Sequence, residues 1–273
     1  MKIGVLQMTS GIEPDANAAI IETAIADAAA QGAVMLFTPE MSGLLDSDGA
    51  RAAGRVVAEE QDHVLARVRA AAARAGIWVQ LGSLAVKSAG DDARWANRGF
   101  VIDAAGEIVA RYDKMHLFDV DLPTGESWRE STRYAPGATT ALVATPVGTL
   151  GLSTCYDLRF PALFQALSGA GATILSVPAA FTVPTGQAHW HTLLRARAIE
   201  NACWLVAAAQ TGTHEDGRQT YGHSLVVDPW GTVALDMEGA PGLAICDIDP
   251  TAVDDVRTRV PVIAHRRAIP VPS

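Results

Sequence analysis

Cys155 ends the apolar run Leu150-Gly-Leu-Ser-Thr-Cys155, and the chain then turns polar through Tyr156, Asp157 and Arg159 before Phe160-Pro161 opens a helix. A strand that delivers a thiol to a turn at a helix start suits a nucleophile. The free N–H groups and positive end of a helix favour both a thiolate and an oxyanion forming beside it. Cysteines on apolar strands are more often small core residues, yet Tyr156, Asp157 and Arg159 are poor core fillers. Two more reactive side chains end expected strands. Glu40 closes Met35-Leu-Phe-Thr-Pro-Glu40, and Lys114 closes Val109-Ala-Arg-Tyr-Asp-Lys114. Sheets built from crossover units collect sites at the carboxyl ends of their strands. A thiol, a carboxylate and an ammonium suffice for amide hydrolysis. Glu40 takes the thiol proton, and the thiolate attacks the carbonyl carbon. Lys114 and the backbone N–H after Cys155 stabilise the oxyanion. Glu40 then protonates departing ammonia and activates water against the thioester. Charged strand ends are also commonly just solvated, and spacing alone does not bring the three residues together.

The elements that must position them are legible in the hydrophobic pattern. Ile3 to Gln7 is a strand, and a helix follows over about 16–31 with Asp15 as its cap. Val34-Met-Leu-Phe-Thr38 is a strand buried on both faces. A second helix spans about 59–74, a third strand 77–84, and 97–113 is a hairpin turning at Ala104-Ala-Gly106. The polar stretch 115–141 is long enough to be functional. The order then repeats: strand 149–154, helix 161–168, strand 173–177, helix 187–201, strand 203–209, hairpin 224–237. Phe100-Val-Ile-Asp-x-x-Gly106 matches Leu225-Val-Val-Asp-x-x-Gly231, and Phe37-Thr-Pro39 matches Ser176-Val-Pro178. The period of about 125 residues is that of a duplicated β-α-β-α-β-β-β unit. Two sheets, each covered by helices on one side, pack most simply face to face. The expected fold is α/β, a four-layer α-β-β-α sandwich with internal pseudo-twofold symmetry, in one domain over 1–273. The tail from about 250 is a short helix and a proline-rich end, expected to pack at a subunit interface.

The chain has 273 residues, 49% of them hydrophobic, and a net charge of −9. That is ample for a core, and without a basic patch it speaks against nucleic acid. No apolar run approaches a membrane span, and the start reads directly into a strand, so the expectation is a cytoplasmic protein. Three widely spaced cysteines argue for reduced thiols rather than a disulfide framework.

Phe37-Thr-Pro-Glu40, Tyr112-Asp-Lys-Met-His-Leu117 and Cys155-Tyr-Asp-Leu-Arg-Phe-Pro161, in this order, resemble the three signature segments of the nitrilase, or carbon–nitrogen hydrolase, superfamily. The resemblance spans nearly the whole chain. It implies that Glu40, Lys114 and Cys155 form the family's Glu-Lys-Cys triad. It also implies that Glu130, with Glu126 as an imperfect rival, is a further glutamate orienting the lysine or substrate. A homodimer or larger oligomer and no metal or cofactor follow from it. Ala179-Ala-Phe-Thr-x-x-Thr-Gly-x-Ala-His-Trp190 is similar to the Nit-type amidases. Tyr221-Gly-His-Ser224, Asp228-Pro-Trp-Gly231 and the loop from Gly212 to Gln219 resemble the branch acting on deaminated glutathione more than the omega-amidase branch, which acts on α-ketoglutaramate and α-ketosuccinamate. Both substrate classes carry carboxylates. Arg159 is the candidate to bind them, with an ion pair to Asp157 as its alternative. Phe181 is a candidate pocket wall, and Tyr156 and Thr182 are candidate hydrogen-bonding groups. N-carbamoyl amide or nitrile hydrolysis remains open, as does an inactive interaction scaffold, although the intact triad speaks against the last. His189 and His191 on one helix, and Asp119 with Asp121, lack the usual spacing of metal ligands.

Overall fold

Strand and helix alternate because the apolar pattern changes period along the chain. The computed structural model describes residues 1–88, 93–122 and 125–270. The first half runs β1 (Lys2–Gln7), α1 (Pro14–Ala30), β2 (Met35–Phe37), α2 (Gly49–Ala53), α3 (His63–Ala75), β3 (Trp78–Lys87), β4 (Trp95–Ile102) and β5 (Ile108–Asp113). A small hairpin follows, β6 (Asp119–Asp121) with β7 (Ser127–Arg129). β8 (Leu142–Thr145) ends the first half, and the second runs β9 (Gly148–Leu152), α4 (Pro161–Gly169), β10 (Ile174–Ser176), α5 (Val183–Asn201) and β11 (Trp204–Ala207). It continues through β12 (Thr211–Thr213), β13 (Gln219–Tyr221), β14 (Leu225–Val227), β15 (Val233–Asp236), β16 (Gly242–Asp247) and α6 (Thr251–Arg259).

Two six-stranded sheets result, ordered β16-β1-β2-β3-β4-β5 and β8-β9-β10-β11-β14-β15. Each has an antiparallel edge strand, three parallel strands and an antiparallel hairpin. The strand after each half's hairpin crosses to the other sheet: β8 follows β5 but pairs with β9, and β16 follows β15 but pairs with β1. The duplicated halves thus exchange edge strands.

Residues alternate between two cores, as the period of two demands. Leu6, Leu36 and Val79 face α1 and α3, where Ile21, Ile25, Leu65 and Val68 meet them. Leu175 and Leu205 face α4 and α5, against Phe164, Trp190 and Leu194. Val5, Phe37 and Val101 of one sheet pack on Leu152, Val206 and Val226 of the other. The layers are therefore α-β-β-α, as the sequence predicts.

Three local expectations, the cap of α1 and the starts of α3 and α5, are corrected. Asp15 does not cap α1; Pro14 occupies the first turn and Glu13 the cap position, without a side-chain bond. The expected helix from 59 is a short 3-10 turn, Glu59–Gln61, then α3, capped by Asp62 accepting from Leu65 N at 2.9 Å. α5 begins at Val183 because Pro184 fits a first helical turn. The tail packs on its own chain as far as Arg266. Val253 enters the core between the sheets, Arg257 bonds the Ala172 carbonyl at 2.6 Å, and Arg266 bonds Asn201 Oδ1 at 2.8 Å. Ile269 is 86% exposed, and residues 271–273 lie outside the described residues.

Candidate active site

The two Pro-ended strands meet at the site. Glu40 follows β2, and Ala179 stands at the equivalent place after β10. Glu40 Oε2 accepts from Ala180 N at 3.0 Å, and Cys155 N donates to Pro178 O at 2.9 Å. The site is thus the seam between one copy of the unit and the other. Cys155 has φ 50°, and Met41, beside Glu40, has φ 55°. Both lie in the left-handed region that non-glycine residues rarely occupy outside functional turns.

Lys114, 2% exposed, is clamped by two carboxylates: Nζ lies 2.9 Å from Glu40 Oε1 and 2.8 Å from Glu130 Oε2. Glu130 Oε2 also accepts from Phe118 N at 2.7 Å. Glu126 is exposed, and its carboxylate reaches Trp128 Nε1 at 3.5 Å. The geometry therefore places Glu130, not Glu126, beside the lysine. Asn97, which sequence reasoning missed, donates Nδ2 to Glu40 Oε1 at 2.9 Å and to Glu130 Oε1 at 3.2 Å. Nothing in the motif segments marks it, since it sits on β4 facing inward.

Burial works against the Lys114 ammonium, but Glu130 and Glu40 outweigh it and hold its pKa well above the ordinary value. Burial likewise works against the Glu40 carboxylate, yet Lys114 and its hydrogen-bond donors hold its pKa below the usual one. The Cys155 thiol is pushed well up, by burial and by the Glu40 charge, with Lys114 opposing. This opposes the thiolate-favouring effect of a helix start and fits the expected transfer of a thiol proton to Glu40. Cys155–Arg159 is a 3-10 turn and α4 opens at Pro161, as expected, and the Glu40 charge opposes ionisation of the thiol. These directions favour a protonated thiol beside an ionised carboxylate and a clamped ammonium. Proton transfer to Glu40 can then accompany attack.

Asp157 anchors the turn. Fully buried, it accepts from Thr154 N at 2.8 Å, Tyr112 Oη at 2.7 Å and His116 N at 3.0 Å, and His116 Nδ1 lies 2.7 Å away. It is not the partner of Arg159. Arg159 lies over the rings of Phe181 at 4.8 Å and Tyr156 at 5.4 Å, with Nη2 3.2 Å from His189 Nδ1 and Nη1 buried without a hydrogen-bond partner among the described residues. Desolvation pulls its pKa down. Thr182 Oγ1 meets Thr185 Oγ1 at 2.9 Å. Glu40, Lys114, Glu130, Cys155, Tyr156, Arg159, Phe181 and Thr182 all line one cavity of about 390 Å³.

Asp119 bonds Ser131 and Asp121 pairs with Arg129. His191, His223 and Asp236 bring three potential ligand atoms within 4.8 Å. The spacing of His189 and His191 gave no hint of this, because the other two come from different elements. The Asp236 carboxylate already binds both imidazoles at 2.9 Å.

A family model described as carbon–nitrogen hydrolase matches residues 2–258. The chain is 41% identical over 268 residues to the deaminated glutathione amidase of Yersinia enterocolitica, covering 98% of this chain and 93% of that protein. It is 41% identical to the nitrilase and fragile histidine triad fusion protein NitFhit of Caenorhabditis elegans, covering 97% of this chain but spanning 60% of the fusion protein. The NitFhit crystal structure superposes with a TM-score of 0.89 at 40% identity, over 97% of this chain and 65% of that one. An amidase from Nesterenkonia sp. superposes with a TM-score of 0.79 at 28% identity, over 95% and 94%. From its matched residues, its relatives and its fold, this chain belongs to the carbon–nitrogen hydrolase family and is a hydrolase of carbon–nitrogen bonds.

Proposed function

We propose that this enzyme is an amidase whose nucleophile is Cys155, with Glu40 as general base and acid, Lys114 as oxyanion donor and Glu130 as the residue that orients Lys114. The observation that carries this reading is the clamp of Glu40, Lys114 and Glu130 in the cavity that Cys155 lines. Glu40 accepts the thiol proton as sulfur attacks, and Lys114 meets the developing negative oxygen. Glu40 then returns the proton to the departing amine, leaving a thioester that water hydrolyses with Glu40 again as base. No cofactor takes part in this scheme.

The substrate is proposed to be a small amide carrying carboxylates, held by Arg159 through its unpartnered Nη1, with Phe181 as an apolar wall and Tyr156 and Thr182 as hydrogen-bonding groups. The relatives named deaminated glutathione amidase favour a deaminated glutathione-type acyl-dipeptide. There the leaving group is the amine of a dipeptide rather than ammonia. We further propose one domain, a cytoplasmic location and a homodimer or larger homo-oligomer, with the end of the tail at the interface. The test is hydrolysis of deaminated glutathione, read as dipeptide release, beside α-ketoglutaramate, read as ammonia, with native protein and Cys155→Ala. Preference for the first, abolished by the substitution, is expected. Preference for the second moves the enzyme to omega-amidase chemistry, and turnover of neither overturns the substrate assignment.

A further inference from the structure

Five cationic side chains line the cavity, and most are already engaged. Lys114 is held by two glutamates, Arg129 pairs with Asp121 at 2.8 Å, and Arg133 donates to the Ser47 carbonyl at 2.6 Å. Arg159 and Arg218 differ: each has a buried nitrogen with no hydrogen-bond partner among the described residues, Nη1 in Arg159 and Nε in Arg218. A buried donor left unpaired is costly, and two of them in one cavity point to anionic acceptors.

Arg218 is placed by an aromatic contact. It stands in the turn between β12 and β13, its guanidinium 4.4 Å from the Trp128 ring centroid. That stacking contributes cation–π attraction and fixes the plane of the group. Its nearest carboxylate, Asp216, is 4.0 Å from Nε, and that carboxylate accepts Ser47 N at 2.8 Å and Arg218 N at 2.9 Å. Asp216 therefore shapes the turn and meets the guanidinium only as a long ion pair, without a hydrogen bond to it. His214, buried, bonds Ser10 O at 2.9 Å and Thr220 Oγ1 at 2.8 Å, tying the same turn to the first half.

The two arginines are linked by a wall of aromatic rings. Arg159 lies on Tyr156, Tyr156 meets Phe118 edge-on at 5.1 Å, Phe118 meets Trp128 at 6.3 Å, and Arg218 lies on Trp128. A ligand along this wall has a cation at each end. We propose that Arg218 forms a second anion subsite, specific for a carboxylate at the far end of the leaving group, so that the enzyme selects elongated amides anionic at both ends. This rests on the proposed amidase reading, in which Arg159 holds the acyl-side carboxylate. It also gives a physical role to the segment from Gly212 to Gln219, one of those that resemble one amidase branch more than the other.

The test is calorimetric binding to Cys155→Ala protein. The ligands are deaminated glutathione and the same molecule with its terminal carboxylate amidated. The free acid is expected to bind about tenfold or more tighter, the scale of one charge-assisted hydrogen bond. Adding Arg218→Ala should erase that preference. Arg218→Gln, which keeps a planar group on Trp128, should erase it too if Arg218→Ala disturbs folding. A preference that survives both substitutions, or no preference in the first protein, overturns the subsite. Native protein that fails to hydrolyse deaminated glutathione while keeping the carboxylate preference overturns the substrate assignment and leaves the subsite standing.

Discussion

Tyr112 donates its hydroxyl to Asp157 at 2.7 Å, joining the strand that ends at Asp113, immediately before Lys114, to the turn that begins two residues before Asp157, at Cys155. One hydrogen bond thus links the lysine of one sheet to the thiol of the other. Burial and the Asp157 charge raise the Tyr112 pKa far above its ordinary value, so the phenol remains a donor. Tyr112→Phe is expected to lower stability by about 1–3 kcal/mol, the cost of leaving a buried acceptor short of a donor. It should also reduce kcat more than KM, since the reacting groups lose alignment. Denaturant melts and steady-state kinetics check both.

Glu40 carries a prediction about pH. Its folded pKa is depressed below 4.5 despite burial, chiefly by Lys114. A depressed carboxylate contributes stability that is complete above its unfolded pKa and is lost as pH falls through the folded one. Native stability should therefore decline below about pH 4.5. Glu40→Gln should flatten that part of the profile, leaving Glu130 to hold Lys114. The same substitution removes the proposed base and should lower kcat by about 10²–10⁴. Urea titrations from pH 3 to 7 and turnover at neutral pH separate the two effects.

The apolar pattern was enough for the sandwich because every core strand and helix carries it. Val34 to Thr38 is apolar throughout, and Ile21, Ile25 and Ala28 recur at helical spacing. The exchanged strands β8 and β16 were not legible. Leu142 is exposed and Cys246 alone of β16 is buried, so neither announces itself by periodicity, and their partners are set by tertiary topology. The triad types were legible from strand ends and motif resemblance, but Asn97 and Arg218 were not. Asn97 reads as one polar residue on a strand, and Arg218 as one charge in a Gly-rich turn. Only the packing of β4 against Lys114, and of the β12–β13 turn against Trp128, gives either a meaning.

Asn97 separates geometry from charge. Its amide bridges the two glutamates, and Lys114 N donates to its backbone carbonyl at 2.9 Å. Asn97→Leu keeps the volume but removes the bridge, so kcat should fall about tenfold, in proportion to one lost hydrogen bond of roughly 1.4 kcal/mol. Asn97→Asp puts a third carboxylate against Glu40 and Glu130 with one ammonium between them. That should cost about 3 kcal/mol or more of stability at neutral pH, and much of it should return as the added carboxyl is protonated on acidification. Melts of both variants at pH 7 and pH 5 distinguish the lost bridge from the added charge.

Gly82 tests whether the site depends on the close approach of β3 to the turn carrying Glu40. A Cβ at position 82 would run into the backbone carbonyls of Thr38 and Pro39, the two residues immediately before Glu40. The neighbouring contacts are tightly tied: Gly82 N donates to Thr38 Oγ1 at 3.0 Å, and Ser83 Oγ accepts Met41 N at 3.0 Å. Backbone cannot yield as a flexible side chain can, so Gly82→Ala must push β3 away from this turn. The overpacking should cost about 1–3 kcal/mol. Displacement of Glu40 from Lys114 should lower kcat by at least about tenfold, because catalysis is sensitive to shifts on the order of 1 Å. A Gly82→Ala protein with native melting temperature and native kcat would show that the carboxylate is positioned by Asn97, Ala180 and Lys114 alone.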